Sequence, residues 1–281
     1  MTRFWSRFLE ALSMFIACIV VFDSRRIHPS HRMATWRKFM LGMRMVYTTR
    51  RVLTGTSPKM HMVMALRILE SDPTVPGVVI ECGTWKGATA ANLSLVCKIV
   101  NRKLIVFDSF RGLPAGDSLD REAKYYKEHD YCGTLEEVKQ NISRYGDLSV
   151  CDFRQGWFEN TLPNLREPVV VAYVDVDLES SFDTCIRHLW PRLVEGGTIF
   201  TDECASTDYC ALFWSERWWN ENFQATPPGL IGSGSGLPLG GFYLGPAKFR
   251  SSYPLQKFNS GAYAYKGMSG RWTYYRSGQD K

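Results

Sequence analysis

The chain has 281 residues, 45% of them hydrophobic and 22% charged, which is typical of a globular protein with one large domain. The net charge of +6 is uneven: residues 1–51 hold ten Lys and Arg against two acids, and the remaining residues carry −2. This distribution argues against nucleic-acid binding throughout. It favours either an anionic partner for a basic arm or a solvated basic helix face.

The eight cysteines form no C-x-x-C pair and no Cys/His metal spacing. Several lie in apolar segments, where a free Cys behaves as a small hydrophobic residue. We therefore expect a reducing, cytoplasmic environment.

Residues 1–54 are predicted to form a basic, helical N-terminal arm. The apolar run Ala11–Phe22 is short for a membrane span, which needs ~20 residues, and charged residues follow it where a signal-peptide cleavage site would lie. The run is either a packing or dimer helix, or an interfacial anchor that gives peripheral membrane contact through residues 1–51. Further helices are predicted at Arg32–Tyr47 and Ser57–Glu70.

The stretch Gly77–Leu93, GVVIECGTWKGATAANL, is a strand that ends on an acid and turns through glycines into a helix of small residues. The acid is Glu81, and the glycines are Gly83 and Gly87. Backbone N–H groups at a helix start can face a ligand, and the acid can bind an amine or a hydroxyl. This order predicts a nucleotide-type site.

A second strand, Lys103–Phe107, ends at Asp108. An acid after the second strand is the usual partner of ribose hydroxyls, because a carboxylate can accept two hydrogen bonds side by side. The alternative is a strand-end acid that faces solvent. The polar segment Gly112–Gly133 that follows is either disordered or a functional lid.

The next unit has a predicted helix at Thr134–Tyr145, with Thr134 and Glu137 in capping-box spacing, and a strand at Ser149–Phe153. Gly156 and Trp157 follow this strand. Trp157 either offers a stacking face to a flat heterocycle or belongs to the core.

Acids follow the next two predicted strands. Val169–Val174 has the continuous apolar character of a central parallel strand and leads into Asp175 and Asp177. After a predicted helix at Ser181–Leu193, the strand Thr198–Thr201 leads into two further acids, Asp202 and Glu203. These carboxylates either bind Mg²⁺ or a similar divalent cation, or cap the helices that follow.

The C-terminal third is less informative. An aromatic helix is predicted at Tyr209–Phe223 and a glycine-rich loop at Leu230–Gly241, after which the last strand begins. The aromatic helix and the arm both offer apolar faces, and we expect a homo-oligomer. We assign residues 55–247 to one main domain and residues 248–281 to a tail of unknown role.

Five phrases carry a family resemblance: PGVVIECGTWKG, VFDSFRGLP, TLEEVKQNISRYG, QGWFENTLP and DVDLESS…LWPRLVEGGTIFTDE. With them the chain resembles the macrocin O-methyltransferase-like (TylF-type) family of class I S-adenosylmethionine-dependent methyltransferases. The resemblance implies an α/β, Rossmann-like fold: a mostly parallel seven-stranded sheet flanked by helices, here with an N-terminal helical extension.

The resemblance also implies roles for single residues. Those implied to bind S-adenosylmethionine are Glu81, Gly83, Thr84, Trp85, Gly87, Asp108, Ser109, Gly156 and Trp157. The metal ligands implied are Asp175, Asp202 and Glu203, and the general base is Asp175 or Asp177.

The implied function is S-adenosylmethionine- and Mg²⁺-dependent O-methylation of a sugar or glycoside hydroxyl, on a lipid-linked acceptor or a natural product. Two alternatives stay open: methylation of a catechol-type phenol, and non-catalytic binding of S-adenosylmethionine.

Overall fold

The computed structural model describes residues 26–115, 126–202, 211–232, 242–243 and 261–267. The apolar run Ala11–Phe22, the candidate metal ligand Glu203 and most of residues 248–281 lie outside these ranges. No helix within the described ranges is both long and apolar enough to cross a membrane.

Within these ranges the strands form one sheet. The strands are β1 (Val78–Cys82), β2 (Leu104–Asp108), β3 (Cys151–Gln155), β4 (Val169–Val174), β5 (Leu193–Thr201), β6 (Ile231–Gly232), β7 (Phe242–Tyr243) and β8 (Ala262–Tyr265). Their order is β3-β2-β1-β4-β5-β8-β6-β7. The first five are parallel, and β8, β6 and β7 continue the sheet in antiparallel pairs. The strand order reverses between β1 and β4, where open α/β sheets bind ligands beyond the carboxyl ends of the strands.

Helices cover both faces of this sheet. They are α1 (Thr35–Arg51), α2 (Pro58–Glu70), α3 (Ala88–Ile99), α4 (Leu135–Tyr145), α5 (Phe158–Thr161), α6 (Glu179–Leu189) and α7 (Glu216–Phe223). One hydrophobic cluster lies on each face of the sheet. The first contains residues of α1 to α4, and the second contains residues of α6 and α7. Along β1, Val79 belongs to the first cluster and Ile80 to the second, because successive side chains of a strand point to opposite faces.

The prediction of an α/β fold with a mostly parallel sheet is confirmed. The count of seven strands is not. The described residues form six strands of four or more residues and two strands, β6 and β7, of two residues each.

Several predicted boundaries differ from the structure. The helix predicted at Arg32–Tyr47 spans Thr35–Arg51, and the strand predicted at Ser149–Phe153 spans Cys151–Gln155. The helix predicted at Ser181–Leu193 ends at Leu189, and a 3₁₀ turn over Trp190–Arg192 contains Pro191, which cannot donate a backbone hydrogen bond to continue the helix. Strand β5 therefore begins at Leu193 rather than at Thr198.

Strand β8 was not predicted. Its sequence AYAY alternates buried and half-buried residues and pairs with the end of β5, although it lies in the segment assigned to the tail. The boundaries of the domains stay a prediction.

A buried histidine joins the three helices α1, α2 and α3. His61 of α2 accepts a hydrogen bond at Nδ1 from Asn92 Nδ2 (2.8 Å), and its Nε2 lies 2.9 Å from Thr89 Oγ1. The same amide nitrogen of Asn92 donates to the carbonyl of Met45 in α1 at 3.3 Å. A carbonyl only accepts, so the amide orientation is fixed, Nδ1 must accept, and the imidazole is neutral with its proton on Nε2.

Burial lowers the pKa of His61 to about 3, so its protonation links stability to pH. The unfolded chain binds the proton near the ordinary value of about 6.5 and the folded chain does not. The stability that His61 contributes is therefore complete above pH 6.5 and is lost as the pH falls from there towards 3. Between pH 7.5 and 5.5 the loss is about 1 kcal/mol.

We expect His61→Gln to remove this part of the pH dependence, whatever it does to stability at a single pH. Urea unfolding at pH 7.5 and 5.5 measures the difference. The matched control is His129→Gln, which removes an exposed imidazole and should retain the wild-type difference. An unchanged difference in His61→Gln would contradict the assignment.

Candidate active site

A cavity of about 310 Å³ lies at the carboxyl ends of the parallel strands. The turn after β1 lines it with Gly83, Thr84 and Trp85, and the end of β2 contributes Asp108 and Ser109. All five are predicted cofactor-binding residues. These residues lie close together because the carboxyl ends of parallel strands are at the same edge of the sheet.

The other predicted residues reach the same cavity from three further strands. Gly156 and Trp157 follow β3, Asp175 and Asp177 follow β4, and Asp202 follows β5. The structure thus brings together seven of the nine cofactor-binding candidates and three of the four acidic candidates.

Glu81 and Gly87 do not line the cavity. Glu81 is fully buried and accepts a hydrogen bond from Thr84 Oγ1 at 3.2 Å. Burial, only partly offset by this bond, raises its pKa well above the usual range. Gly87 has a φ of +81° at the N-cap of α3, and a Cβ there would meet Val138 Cγ1 at 3.0 Å. It therefore serves the packing of the turn against α4.

Backbone N–H groups hold the Asp108 carboxylate in place. Thr84 N–H donates to Oδ2 at 2.8 Å, and Phe110 N–H donates to Oδ1 at 2.7 Å. Burial raises the pKa of Asp108, and these hydrogen bonds oppose the rise. Each carboxylate oxygen has a second lone-pair site, so Asp108 can still accept hydrogen bonds from the cavity.

Gly83 sets the distance between the two halves of the site. Its φ is +80°, and a Cβ added to it would lie 1.8 Å from the backbone oxygen of Asp175. Only glycine permits this approach. The turn that carries Thr84 therefore lies directly against the end of β4.

Asp175 is held by two hydroxyl groups that the sequence did not single out. Tyr173 donates its phenolic hydrogen to Asp175 Oδ2 at 3.0 Å, and Thr56 Oγ1 lies 2.8 Å from the phenol oxygen and 3.4 Å from Asp175 Oδ2. Burial, followed by the charges of Asp175 and Asp202, raises the pKa of Tyr173 well above its usual range. The phenol therefore stays protonated and keeps donating. A tyrosine inside the apolar run VVVAYV was the available signal, because a buried phenol needs a partner.

Asp177 and Asp202 form a second acidic pair. Burial and the charge of Asp202 raise the pKa of Asp177 to about 6, while a hydrogen bond from Tyr126 opposes the rise. Burial likewise raises the pKa of Asp202 to about 6. Asp202 Oδ1 is buried and has no hydrogen-bond partner within the described ranges.

The predicted metal triad is not shown. Glu203 lies outside the described residues, and the residues that are described contain no group of three His, Cys, Asp or Glu side chains that could hold a metal ion.

The two described ends of the predicted lid close over the glycine turn. Leu113 N–H donates to the Asp130 carbonyl at 2.9 Å, and Tyr131 packs edge-on against Trp85 with ring centroids 5.2 Å apart. A Cβ on Gly133 would lie 1.8 Å from the Trp85 oxygen. The aromatic rings of Tyr126 and Tyr131 line the cavity, a role that the polar composition of the segment did not indicate.

Four bulky or charged residues around the cavity have left-handed backbone. They are Trp85 (φ 46°), Phe110 (φ 55°), Tyr131 (φ 55°) and Asp177 (φ 57°). Such conformations cost energy in non-glycine residues and concentrate at active sites and ligand clamps. Their presence here supports the assignment of the cavity as the functional site.

A profile of the family described as Macrocin-O-methyltransferase (TylF) matches residues 43–227, well over half of the chain. The chain belongs to this family. The resemblance drawn from the five sequence phrases is thereby confirmed.

Two relatives are named sugar and natural-product O-methyltransferases. The chain is 34% identical over 141 residues to the 8-demethyl-8-(2,3-dimethoxy-alpha-L-rhamnosyl)-tetracenomycin-C 4'-O-methyltransferase of Streptomyces olivaceus, a match that covers 47% of this chain and 54% of the relative. It is 32% identical over 148 residues to the mycinamicin III 3''-O-methyltransferase of Micromonospora griseorubida, covering 48% and 56%. The aligned part of the chain spans about half the length of these relatives.

Among solved structures, the chain is similar to the O-methyltransferase NovP. The TM-score is 0.58 at 21% identity, and the match covers 76% of this chain and 81% of that chain. At this identity the comparison shows a common fold.

The close approach at Gly83 predicts a large effect of a small substitution. Gly83→Ala should destabilise the protein by more than about 4 kcal/mol, because the added methyl meets backbone that cannot yield cheaply. The matched control is Gly196→Ala: Gly196 also has a positive φ (+73°), but nothing lies within 4 Å of its Cβ position. There only the left-handed strain of about 1–2 kcal/mol applies. Equal unfolding free energies of the two variants would contradict the argument.

Proposed function

We propose that the chain is an S-adenosylmethionine-dependent O-methyltransferase that acts on a hydroxyl of a sugar or glycoside. The observation that carries the proposal is that Asp108, which we assign to the ribose, lines one cavity together with Asp175, Asp177 and Asp202. Family membership and the named reactions of the relatives support the same function.

The residues of the turn fit S-adenosylmethionine. Asp108 retains lone pairs for the ribose hydroxyls, and Ser109, Gly156 and Trp157 are assigned to the adenine. Thr84 and Trp85 are assigned to the methionine part, with Glu81 beneath them. Glu81 stays assigned to the methionine part, although it is fully buried and does not line the cavity.

The bound donor supplies a methyl group on a positively charged sulfur. An acceptor hydroxyl that took this methyl group would have to give its proton to a base. Asp177 is the preferred base, because a pKa of about 6 leaves it ionised at neutral pH and still basic enough to take a proton. Asp175 is the second candidate, since Tyr173 and Thr56 fix its carboxylate.

A divalent cation such as Mg²⁺, held by Asp175, Asp202 and Glu203, belongs to the proposal. The donor set consists of carboxylate oxygens, which Mg²⁺ prefers. The buried Oδ1 of Asp202, without a hydrogen-bond partner in the described chain, fits a cation. Such an ion would offset the repulsion among the acids and favour the ionised form of an acceptor hydroxyl.

Isothermal titration with S-adenosylmethionine tests the donor site. We expect Asp108→Asn to weaken binding at least about tenfold, because hydrogen bonds from the ribose to a charged group are lost. The control is Asp152→Asn, which removes an acid from the neighbouring strand β3, where Asp152 pairs with Arg154 at 2.8 Å outside the cavity. Absence of binding by the wild type would refute the proposal, and wild-type affinity in Asp108→Asn would refute the role of Asp108.

Methyl transfer to a panel of glycosides and catechols tests the reaction. We expect glycosides to be methylated, with a rate that falls as the pH drops through about 6, because Asp177 then becomes protonated. Asp177→Asn should lower kcat about 100- to 10,000-fold while leaving the affinity for S-adenosylmethionine nearly unchanged.

The control for this variant is Asp183→Asn, an acid on α6 that does not line the cavity; it should retain activity. Asp175→Asn, measured in parallel, separates the two candidate bases. A flat pH profile between 5 and 8, or full activity in Asp177→Asn, would exclude Asp177 as the base. Transfer to catechols alone would replace the proposed acceptor class.

A further inference from the structure

Helix α1 has an exposed apolar stripe on the side opposite its buried face. Trp36, Met40, Met43 and Tyr47 are 64%, 56%, 40% and 50% exposed. Their spacing of four, three and four residues aligns them along one side of an α-helix. The buried residues Leu41, Met45 and Val46 pack on the other side against the core, so the stripe is not part of that buried face.

The same helix is strongly basic. It contains five cationic residues and no acid: Arg37, Lys38, Arg44, Arg50 and Arg51. A groove of about 930 Å³ runs beside it, and Arg32, Lys98 and Ile99 help to line this groove. Lys38 lies on the same side of α1 as the buried Met45, and Lys98 pairs at 3.7 Å with Asp147, which also lines the groove. We call the stripe and the four arginines of α1, together with Arg32 and Ile99, the basic apolar face.

We propose that the basic apolar face binds an anionic lipid surface. Exposed aromatic and Met side chains flanked by Lys and Arg are typical of helices that lie in the membrane interface, and each cation near an anionic leaflet contributes about 1 kcal/mol. The proposal depends on no assumption about the reaction.

Two other occupants fit the face less well. A second copy of the chain, related by twofold symmetry, would bring the same face against itself, so that two helices without acidic residues would oppose their cations. A nucleic acid would satisfy the cations through its phosphates but would leave the Trp, Met and Tyr stripe without an apolar partner.

The basic apolar face lies close to one wall of the cavity. Helix α1 ends at Arg51, and Leu53, Thr54 and Gly55 line the cavity. Leu53 is 67% exposed. A protein bound to lipid through α1 would therefore hold this wall of the cavity close to the bilayer.

Vesicle co-sedimentation of the full chain tests the proposal. The probes are phosphatidylcholine vesicles with and without phosphatidylserine, at low and high salt. We expect binding only to the vesicles that contain phosphatidylserine, and weaker binding at high salt. Arg37→Gln/Arg44→Gln should weaken binding about tenfold or more, and Met40→Ser/Met43→Ser should weaken it about tenfold.

The matched control is Arg192→Gln/Arg217→Gln. It removes two exposed cations near β5 and α7, whose core contacts lie on the other face of the sheet, and it should bind as the wild type does. Unfolding curves of all variants verify that they fold.

Wild-type binding in either double variant of α1 would overturn the proposal, because residues outside α1 would then be responsible for the binding. Equal binding to both kinds of vesicle would do the same. Light scattering that shows a dimer lost in the α1 variants, without vesicle binding, would identify a self-association surface instead. Binding to a DNA duplex that depends only on the arginines would identify a polyanion site.

Discussion

The close contact between Gly83 and the backbone of Asp175 is the constraint on which the site depends. Around it, Gly83 N–H donates to the Phe107 carbonyl and Asp175 N–H donates to the Cys82 carbonyl, both at 3.0 Å. The ends of β1, β2 and β4 are thus joined by backbone hydrogen bonds, whatever side chains follow them. Because one half of the cavity follows β1 and β2 and the acidic half follows β4, the distance between the halves is set by main-chain geometry, which is the most rigid support that a sheet provides.

That geometry brings costs that the rest of the structure must offset. Burial raises the pKa values of Glu81, Asp108, Asp177 and Asp202, so each of these acids is less stable in its charged form than it would be in water. Backbone N–H groups reduce this cost for Asp108, but Asp202 Oδ1 has no such partner in the described chain. Sites that keep charged groups under-solvated are often built for a ligand that completes them. A cation or an acceptor hydroxyl at the β4–β5 end would complete this one.

The sequence predicted those parts of the site that follow from strand order, and it missed those that depend on distant contacts. The positions of Asp108 and Asp175 at the edge of the sheet could be predicted, because each residue directly follows an apolar run and parallel strands end at one edge. The hydroxyl of Thr56 could not be placed, since it reaches Asp175 across 119 positions. Glu81 belongs to β1 and is fully buried, and its role toward the cofactor stays a prediction, because a position near a strand end fixes the edge of the sheet but not the side to which the residue points. Strand β8 was missed because four residues of alternating Ala and Tyr give a weak signal.

Helix α1 is joined to the cavity by more than chain connectivity. The Met45 carbonyl of α1, Asn92, His61 and Thr89 form one buried series of polar contacts, and Thr89 lines the cavity. Each group in the series has one compatible donor and acceptor arrangement, because the Met45 carbonyl fixes the amide and the amide fixes the imidazole tautomer. A series with a single arrangement holds α1 at a set distance from the cavity, whereas signalling between sites requires an element with two arrangements. Contact of the outer face of α1 with a surface would therefore orient the cavity relative to that surface and would not change the conformation of the cavity.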